Sequence, residues 1–132
     1  AAQAMGADFA YIGSPFIATT EANADERYKQ GIVEGRAADI VYSDLFTGVH
    51  GNYLRGSIVA AGLDPDNLPQ GDYKTMNFGQ QSNGEPAKAK AWRDIWGSGQ
   101  GIGAIDKVEP VAERIDRMER EYRAAKERLL AA

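Results

Sequence analysis

Two glycine-bearing segments of the chain have residue types that could hold a phosphate group. The first is Gly-Ser-Pro-Phe at residues 13–16, which follows the short apolar run 8–12. A glycine beyond the end of a buried parallel strand lets the backbone approach a phosphate closely because no Cβ intervenes, and the Ser14 hydroxyl can bond phosphate oxygens. An ordinary strand-to-helix turn could have the same residues, so the spacing alone leaves both interpretations open.

The second segment is Gly-Ser-Gly-Gln-Gly-Ile-Gly at residues 97–103, and with the alanine that follows it formally matches the dinucleotide pattern G-x-G-x-x-A. That pattern needs a strand directly before it and a helix directly after it, whereas here a Trp-bearing helical segment precedes it and the next predicted helix begins only at residue 110. We therefore expect a loop that packs against a cofactor or a partner. Gln100 and Gly101 are its residues of interest, since the Gln100 amide can both donate and accept hydrogen bonds.

The other chemistry-bearing residues indicate neither a catalytic base nor a metal site. His50 is the only histidine and lies between Gly48 and Gly51 with no obvious acidic residue to orient it, which favours a loop histidine over a general base. One histidine with scattered carboxylates gives no recognised metal-ligand spacing. The chain has no cysteine and no G-x-S-x-G pattern, so thiolate chemistry and a serine-hydrolase elbow are excluded.

Composition and charge argue against nucleic-acid and membrane partners. The 132 residues are 43% hydrophobic and 26% charged, with a formal net charge of -4. Nothing in this balance indicates a basic face for nucleic acid or for an anionic membrane. No apolar run approaches the roughly 20 residues of a membrane span, and residues 1–8 lack the basic and apolar regions of a signal peptide. We expect a cytoplasmic protein.

Hydrophobic patterning and glycine positions predict alternating helices and strands in the first part of the chain. Residues 1–5 are expected to end a helix, and residues 8–12 to form a buried parallel strand. A loop follows, and then a helix at 21–34 between a Thr20 cap and a stop at Gly35. This order of helix, strand, loop and helix is typical of an αβ unit.

The rest of the chain is predicted to be mostly helical, with one long irregular excursion. We expect a second short strand at 38–42, a short helix at 52–61, the excursion at 63–81, and helices at 86–96 and 110–130. A long loop of this kind is often functional or wraps another part of the protein. Trp92 and Trp96 lie one helical turn apart and are interpreted as packing residues.

The last predicted helix, 110–130, has one apolar stripe and charged residues on its other faces. Acid–base pairs four residues apart, Glu113 with Arg117 and Glu119 with Arg123, balance the arginines. We interpret the charged faces as solvated rather than as a nucleic-acid patch. The stripe consists of Val111, Ile115, Met118, Tyr122, Ala125 and Leu129.

Longer stretches of the chain resemble one enzyme family. Residues 5–21, Met-Gly-Ala-Asp-Phe-Ala-Tyr-Ile-Gly-Ser-Pro-Phe-Ile-Ala-Thr-Thr-Glu, resemble the last barrel strand and following loop of nitronate monooxygenases, once called 2-nitropropane dioxygenases. The usual family form is Gly-Ala-Asp, an apolar strand, Gly-Thr-Arg-Phe and then Thr-x-Glu. Residues 94–103 resemble the family's C-terminal glycine-rich segment, commonly Ser-Ala-Gly-Gln-Gly, and residues 42–69 also resemble family members. The similarity therefore covers nearly the whole chain in the correct order.

The resemblance implies an α/β fold, namely the C-terminal portion of a TIM (β/α)8 barrel with a helical C-terminal extension. Residues 1–36 would supply the last barrel strand, the phosphate loop and the following helix. Residues 37–85 would form a helix-loop insertion, and residues 86–132 the glycine-rich segment and the C-terminal helices. A whole barrel needs about 250 residues, so a missing N-terminal barrel half would be the partner of this chain. Without it we expect the chain to be marginally stable, to aggregate, or to complete a barrel as a homo-oligomer.

The resemblance also implies FMN as cofactor and oxidation of alkyl nitronates by dioxygen, with nitronate and dioxygen as small-molecule partners. Gly13, Ser14, Gln100 and Gly101 are the residues expected at the FMN. Ser14 stands where threonine is usual and keeps the hydroxyl, whereas Pro15 stands where arginine is usual and removes a charge and a backbone donor. The family's catalytic histidine and first phosphate loop match nothing here, so we expect no catalytic residue in this chain and no turnover by it alone.

Three other interpretations stay open. An FMN-dependent enoyl-ACP reductase of similar barrel shares both glycine motifs, although residues 42–69 favour the nitronate family. A non-enzymatic helical interaction module would use the stripe of the last helix and would show no flavin dependence. A nucleotide-binding protein would hold NAD(H) through Gly99 and Gly101.

Overall fold

The computed structural model describes residues 2–70 and 93–131 of the chain. It is a mixed α and β structure. The predicted excursion 63–81 is described only to residue 70 and the predicted helix 86–96 only from residue 93, so most of both, and Trp92, lie outside the described residues. The helices are α1 (Ser14–Ile17), α2 (Glu26–Glu34), α3 (Arg55–Ala60) and α4 (Val111–Leu130), the strands are β1 (Ile40–Ser43) and β2 (Gly51–Leu54), and 3-10 turns lie at Gln3–Met5, Ala37–Asp39 and Gln100–Ala104.

Strands β1 and β2 form an antiparallel hairpin, with Ile40 opposite Leu54. The prediction of a helix over 52–61 is therefore wrong for its first residues, which are β2, and right for α3, which ends before Gly62 at a φ of 81°. The error has a physical cause: pairing with β1 outweighs the weak helical pattern of these few residues. The predicted strand at 38–42 is confirmed, although β1 begins two residues later and ends one residue later than predicted.

The predicted strand at 8–12 is wrong for this chain. Phe9 and Tyr11 are fully exposed, and none of the residues that the structure describes pairs with this run. A β-strand exists through hydrogen bonds to a neighbouring strand, and the parallel neighbours that the prediction assumed are not among the described elements. The apolar pattern of this run is typical of a buried strand, but the described residues include no neighbouring strand that would bury it.

The segment after this run is more helical at its start than predicted. The expected loop 14–20 begins with the single turn α1, in which Pro15 takes a first-turn position where a missing N–H costs nothing. The cap expected at Thr20 is wrong, because α2 begins at Glu26 behind Asp25, whose carboxylate accepts the Arg27 N–H at 2.9 Å. Both residue types are good caps, so composition alone did not choose between them.

Glu21, which ends the family-like Thr-x-Glu motif, connects this segment to the last helix. The Thr20 hydroxyl donates to the Glu21 carboxylate, and that carboxylate accepts the backbone N–H of Val111, the first residue of α4, at 3.0 Å. These two hydrogen bonds lower the pKa of Glu21 below its ordinary value. A carboxylate at a helix N-terminus is favourable because it meets unpaired N–H groups and the positive end of the helix dipole.

The core lies between α1, α2, the hairpin and the glycine-rich segment. Ile102 is fully buried in it, so the segment predicted to be a loop is anchored to the interior. Gly35 allows this packing: a Cβ at that position would lie 2.7 Å from Ile102 Cδ1. The buried cluster consists of Ala18, Ile32, Leu54, Ile102 and Ile105.

A buried ion pair fixes the start of α4. Glu109 Oε1 lies 2.8 Å from Arg114 Nη2, and both side chains are buried. The Glu109 backbone also bridges to Thr19, with Thr20 N–H donating to Glu109 O at 3.2 Å. A hydrogen bond from Lys107 and then the charge of Arg114 hold the pKa of the Glu109 carboxyl below its ordinary value.

Beyond its first turn, α4 leaves its apolar stripe uncovered. Ile115, Tyr122 and Leu129 are each at least half exposed.

Of the two ion pairs predicted on the charged faces of α4, Glu119 with Arg123 is confirmed. The pair Glu113 with Arg117 is wrong, because Arg117 instead meets two other carboxylates, those of Asp106 and Glu121. In the described part of the chain, no helix has the length and apolar character needed to cross a membrane.

Candidate functional site

The two glycine-bearing segments meet directly in the structure. Ser14 Oγ accepts the backbone N–H of Gly99 at 3.0 Å, across 85 residues of sequence. A hydroxyl can donate one hydrogen bond and accept two, and Ser14 donates none to the part of the chain that the structure describes. The Ser14 proton is therefore free for a ligand, while its lone pair holds the glycine-rich segment.

Strand β2 holds the glycine-rich segment from the other side. The Ser98 N–H donates to the Asn52 backbone oxygen at 3.0 Å, and the Leu54 N–H donates to Trp96 O at 2.8 Å. Gly97 pairs with Tyr53 as an antiparallel bridge. The segment thus runs along the open edge of the hairpin, and its first residues pack against β2 of this chain, whereas the expectation was a loop that packs against a cofactor or a partner.

Gln100 begins the 3-10 turn that follows, with its side chain exposed. Its Nε2 donates to Asn52 Oδ1 at 3.3 Å. Asn52 is a site residue that the sequence did not indicate, since a single asparagine in a short strand has no recognisable signature. Its contact with Gln100 follows only from the pairing of β2 with residues 96–98.

Gly13 and Gly101, the remaining predicted site residues, border open space. A Cβ placed on either would meet no atom within 4 Å. Gly13 has a φ of -119°, a backbone conformation open to any residue. Neither the packing of the described residues nor the backbone conformation therefore requires glycine at position 13, and the space beside both residues is available to a ligand.

Ser98 is a second residue that the sequence did not single out. It is buried, and its Oγ has no hydrogen-bond partner among the residues described. It stands where alanine is usual in the family form of this segment. A buried hydroxyl without a partner is uncommon and unfavourable, and it lies in the residue next to Gly99.

A groove of about 790 Å³, lined in part by aromatic side chains, has Gly97 at its wall. Tyr28 stacks on Trp96 with ring centroids 5.1 Å apart, and the Tyr28 hydroxyl donates to the Gly97 carbonyl. Burial raises the pKa of Tyr28. Trp96 also packs against the core, in line with its prediction as a packing residue, and Arg27 lies over its ring at 5.6 Å.

The other candidate chemistries gain no geometric support. His50 stacks on Tyr42 at 4.7 Å between ring centroids, as suits a surface residue of the hairpin turn. Within the described ranges, no group of three or more potential metal ligands exists. The G-x-G-x-x-A match at Gly99 adopts a 3-10 turn, and the next α-helix begins only at Val111, so it lacks the strand-to-helix context of a dinucleotide site.

Comparison with known proteins bears on the family resemblance. No protein-family model matches the chain. Over 136 aligned residues the chain is 28% identical to a nitronate monooxygenase of Paraburkholderia phytofirmans, and the match covers 98% of this chain and 36% of that protein. The predicted resemblance to nitronate monooxygenase is confirmed. The chain spans about a third of the length of this curated relative.

A solved structure is similar in fold. The chain matches FabK from Thermotoga maritima with a TM-score of 0.64 and 24% sequence identity, covering 98% of this chain and 38% of that one. At this identity the similarity is one of fold alone. The mixed α and β class is thereby confirmed, and both the nitronate monooxygenase relative and FabK are much longer than this chain.

Proposed function

We propose that this chain supplies part of the FMN site of an enzyme that oxidises alkyl nitronates with dioxygen. The proposal rests on the hydrogen bond between Ser14 and Gly99, because it brings together the two motifs that carry the resemblance to nitronate monooxygenase. The resemblance places both motifs at the flavin. Their meeting is the arrangement that a shared ligand requires.

The residues at this junction suit the phosphate end of FMN. Ser14 has a proton to donate, and Gly13 beside it leaves room for phosphate oxygens. Pro15 offers neither a guanidinium nor an N–H, so the Ser14 hydroxyl is the main phosphate donor that this loop supplies. The buried Ser98 hydroxyl is a further polar group, and it has no hydrogen-bond partner among the described residues. When bound, FMN would supply the electron transfer, and this chain would supply part of its orientation.

The uncovered apolar surfaces fit a chain that completes a barrel with other strands and helices. Phe9 and Tyr11 are exposed in the run that the family places as the last barrel strand, and Ile115 and Tyr122 are exposed on α4. The segment that precedes this run contacts α4, since the Tyr122 hydroxyl donates to Gln3 Oε1 at 2.7 Å. We propose that the remaining part of a (β/α)8 barrel covers both.

The base that would remove a proton from the substrate belongs, in this proposal, to that remaining part. His50 stacks on Tyr42 and lies at the hairpin turn, so it does not take that role. Ser14, Gly13, Gln100 and Gly101 act on the cofactor rather than on the nitronate. The chain by itself is accordingly expected to be inactive.

The second candidate is an FMN-dependent enoyl-ACP reductase, favoured by the similarity in fold to FabK. Such an enzyme would use the same junction of Ser14 and Gly99 for its flavin. The two candidates differ in the molecule that reduces the flavin, a nitronate in one case and NAD(P)H in the other.

Two assays on the full-length gene product separate these candidates. One measures oxygen consumption with an alkyl nitronate, and the other measures NAD(P)H oxidation with an enoyl thioester under anaerobic conditions. We expect oxygen consumption that depends on the nitronate and on FMN, and no enoyl-dependent NAD(P)H oxidation. The reverse pattern would overturn the nitronate assignment and leave the flavin site in place.

A further inference from the structure

We propose that Asn52 is a positioning residue that fixes the orientation of the Gln100 side-chain amide, so that Gln100 offers a hydrogen-bond acceptor to the part of the flavin beyond its phosphate. The inference rests on the proposed FMN site. It assigns a role to a strand residue that neither glycine motif contains.

The Gln100 side chain ends in a primary amide, whose two ends differ in hydrogen bonding. The nitrogen donates and the oxygen accepts, and a half-turn of the side chain exchanges them. Gln100 Nε2 donates to Asn52 Oδ1 at 3.3 Å, so the nitrogen faces β2. Gln100 Oε1 accepts no hydrogen bond from the described stretches of the chain, and it is the end left for a ligand that carries an N–H or O–H donor.

Asn52 is well placed to set this orientation because its own backbone is fixed on both edges of β2. On one edge it lies opposite Tyr42 of β1. On the other edge its carbonyl oxygen accepts the Ser98 N–H at 3.0 Å. The base of the Asn52 side chain is thus held between β1 and residues 96–98, and the exposed Gln100 side chain is the member of the pair that needs orienting.

The same backbone bonds make the proposal testable by substitution. They hold residues 96–98 against β2 without help from the Asn52 side chain. Asn52→Ala is therefore expected to leave the segment in place and remove only the partner of Gln100. Asn52→Asp keeps the acceptor oxygen in the same place and has no N–H to donate, so it preserves the pair only if Gln100 presents its nitrogen to β2.

FMN and riboflavin distinguish this role from that of Ser14, since they differ by the phosphate alone. Ser14→Ala should weaken FMN far more than riboflavin, because the phosphate loses its donor while β2 still holds residues 96–98. Asn52→Ala should weaken both flavins by the same factor, because the Gln100 amide is assigned to the part that they share. A merely structural loss at Asn52 would also weaken both flavins, so the test that separates the two roles is the Gln100→Ala background, in which only a positioning role makes Asn52→Ala silent.

The experiment measures dissociation constants of FMN and riboflavin by flavin fluorescence with the full-length gene product freed of flavin. We expect Asn52→Ala to raise both constants roughly 2-fold to 10-fold, the effect of one neutral hydrogen bond. With Gln100→Ala already present, Asn52→Ala should have no further effect. Asn52→Asp should match the unmodified protein for riboflavin, which carries no phosphate charge, and Asn67→Ala, an exposed asparagine outside the site, should change neither constant.

Three results would overturn the inference: additive effects of Asn52→Ala and Gln100→Ala, equal losses from Asn52→Asp and Asn52→Ala on riboflavin, or an Asn52→Ala effect confined to FMN. If the unmodified protein binds neither flavin, the proposed function and this inference both fail. If Ser14→Ala weakens FMN while the Asn52 variants bind both flavins normally, the proposed function stands and the positioning role is wrong.

Discussion

Ser14 Oγ accepts the backbone N–H of Gly99 at 3.0 Å, which ties the loop after residues 8–12 to the glycine-rich segment. The bond satisfies a backbone donor and leaves the serine proton available. The bond therefore joins the two segments that carry the resemblance to nitronate monooxygenase.

Gly35 is predicted to be irreplaceable for packing, with Gly31 as its matched control. At Gly35 a Cβ would lie 2.7 Å from both the Gly31 carbonyl oxygen and Ile102 Cδ1, whereas at Gly31 the nearest atom is Leu54 Cδ1 at 3.6 Å. Gly35→Ala should lower the free energy of unfolding by about 1–3 kcal/mol through overpacking. Gly31→Ala, inside α2, should raise it by about 0.5–1 kcal/mol. Urea unfolding of the full-length gene product checks both, and equal effects of the two substitutions would contradict the close approach at Gly35.

Ser98 and Ser57 should respond to alanine in opposite directions. Ser98 Oγ is buried without a partner among the described residues, whereas Ser57 Oγ donates to Leu54 O at 2.7 Å and accepts the Trp96 N–H at 3.1 Å. Ser98→Ala should raise the free energy of unfolding of the flavin-free protein by about 1 kcal/mol, since it removes an unpaired buried hydroxyl. Ser57→Ala should lower it by about 1–3 kcal/mol, since it leaves the part-buried Trp96 N–H and the Leu54 carbonyl without this partner.

Chemical denaturation of both serine variants in the absence of flavin measures these changes. A loss of stability in Ser98→Ala would mean that its hydroxyl is bonded in the flavin-free protein. Repeating the measurement with FMN tests whether the ligand uses the same hydroxyl, because the gain should then shrink or reverse.

Asp25 is predicted to make stability depend on pH in acid. Hydrogen bonds from the Arg27 side chain and then from its backbone N–H lower the pKa of Asp25 from 3.8 to about 2. A carboxyl whose pKa is lower in the folded state stabilises it fully above the unfolded value, and the contribution is lost as the pH falls through the folded value. The contribution of Asp25 should therefore be complete above about pH 4 and disappear between pH 4 and 2.

The Asp25→Asn variant isolates this contribution, since asparagine still caps a helix but does not titrate in this range. The urea midpoints of the two proteins should differ at pH 5 and converge toward pH 2. A difference that stays constant across this range would show that Asp25 is not held by Arg27.

The uncovered run at residues 8–12 should make the isolated 132-residue chain self-associate. Phe9 and Tyr11 are fully exposed in it, and exposed aromatic runs with unpaired backbone promote association. Phe9→Lys with Tyr11→Lys should reduce association of the isolated chain, yet prevent folding of the full-length gene product, where the same residues would be buried. Sedimentation and circular dichroism distinguish these outcomes.

Cooperative unfolding of a monomer of the isolated chain, with a denaturant slope normal for its size, would contradict the account of this run. A defined oligomer would instead indicate that copies of the chain cover the run for one another.

Local features of this fold could be read from the sequence. The periodic stripe predicted α4, and glycine positions predicted the ends of α2 and α3, because these depend on residues within a few turns. Strand β2 was mistaken for helix, since its strand character comes from pairing with β1 and with Gly97.

Sequence patterns indicated some residues of the candidate site, but not Asn52 or Ser98 and not the contacts between the residues. Sequence patterns indicated Ser14 and Gln100, yet the partners that hold them, Gly99 and Asn52, are 85 and 48 residues away. Burial without a hydrogen-bond partner, as at Ser98, likewise emerges only when the chain is folded. Contacts of this kind depend on tertiary packing, which one sequence does not encode in any short pattern.

The most direct test of the FMN site is a titration of the flavin-free, full-length gene product with FMN and with riboflavin, for the unmodified protein, Ser14→Ala and Ser14→Thr. The account predicts that Ser14→Ala raises the FMN dissociation constant about 10-fold to 100-fold, the value of a hydrogen bond to a charged group, and raises that of riboflavin much less. Ser14→Thr should bind FMN like the unmodified protein. Equal FMN binding by all three proteins, or no FMN binding by any, would contradict the assignment of this junction as a phosphate site.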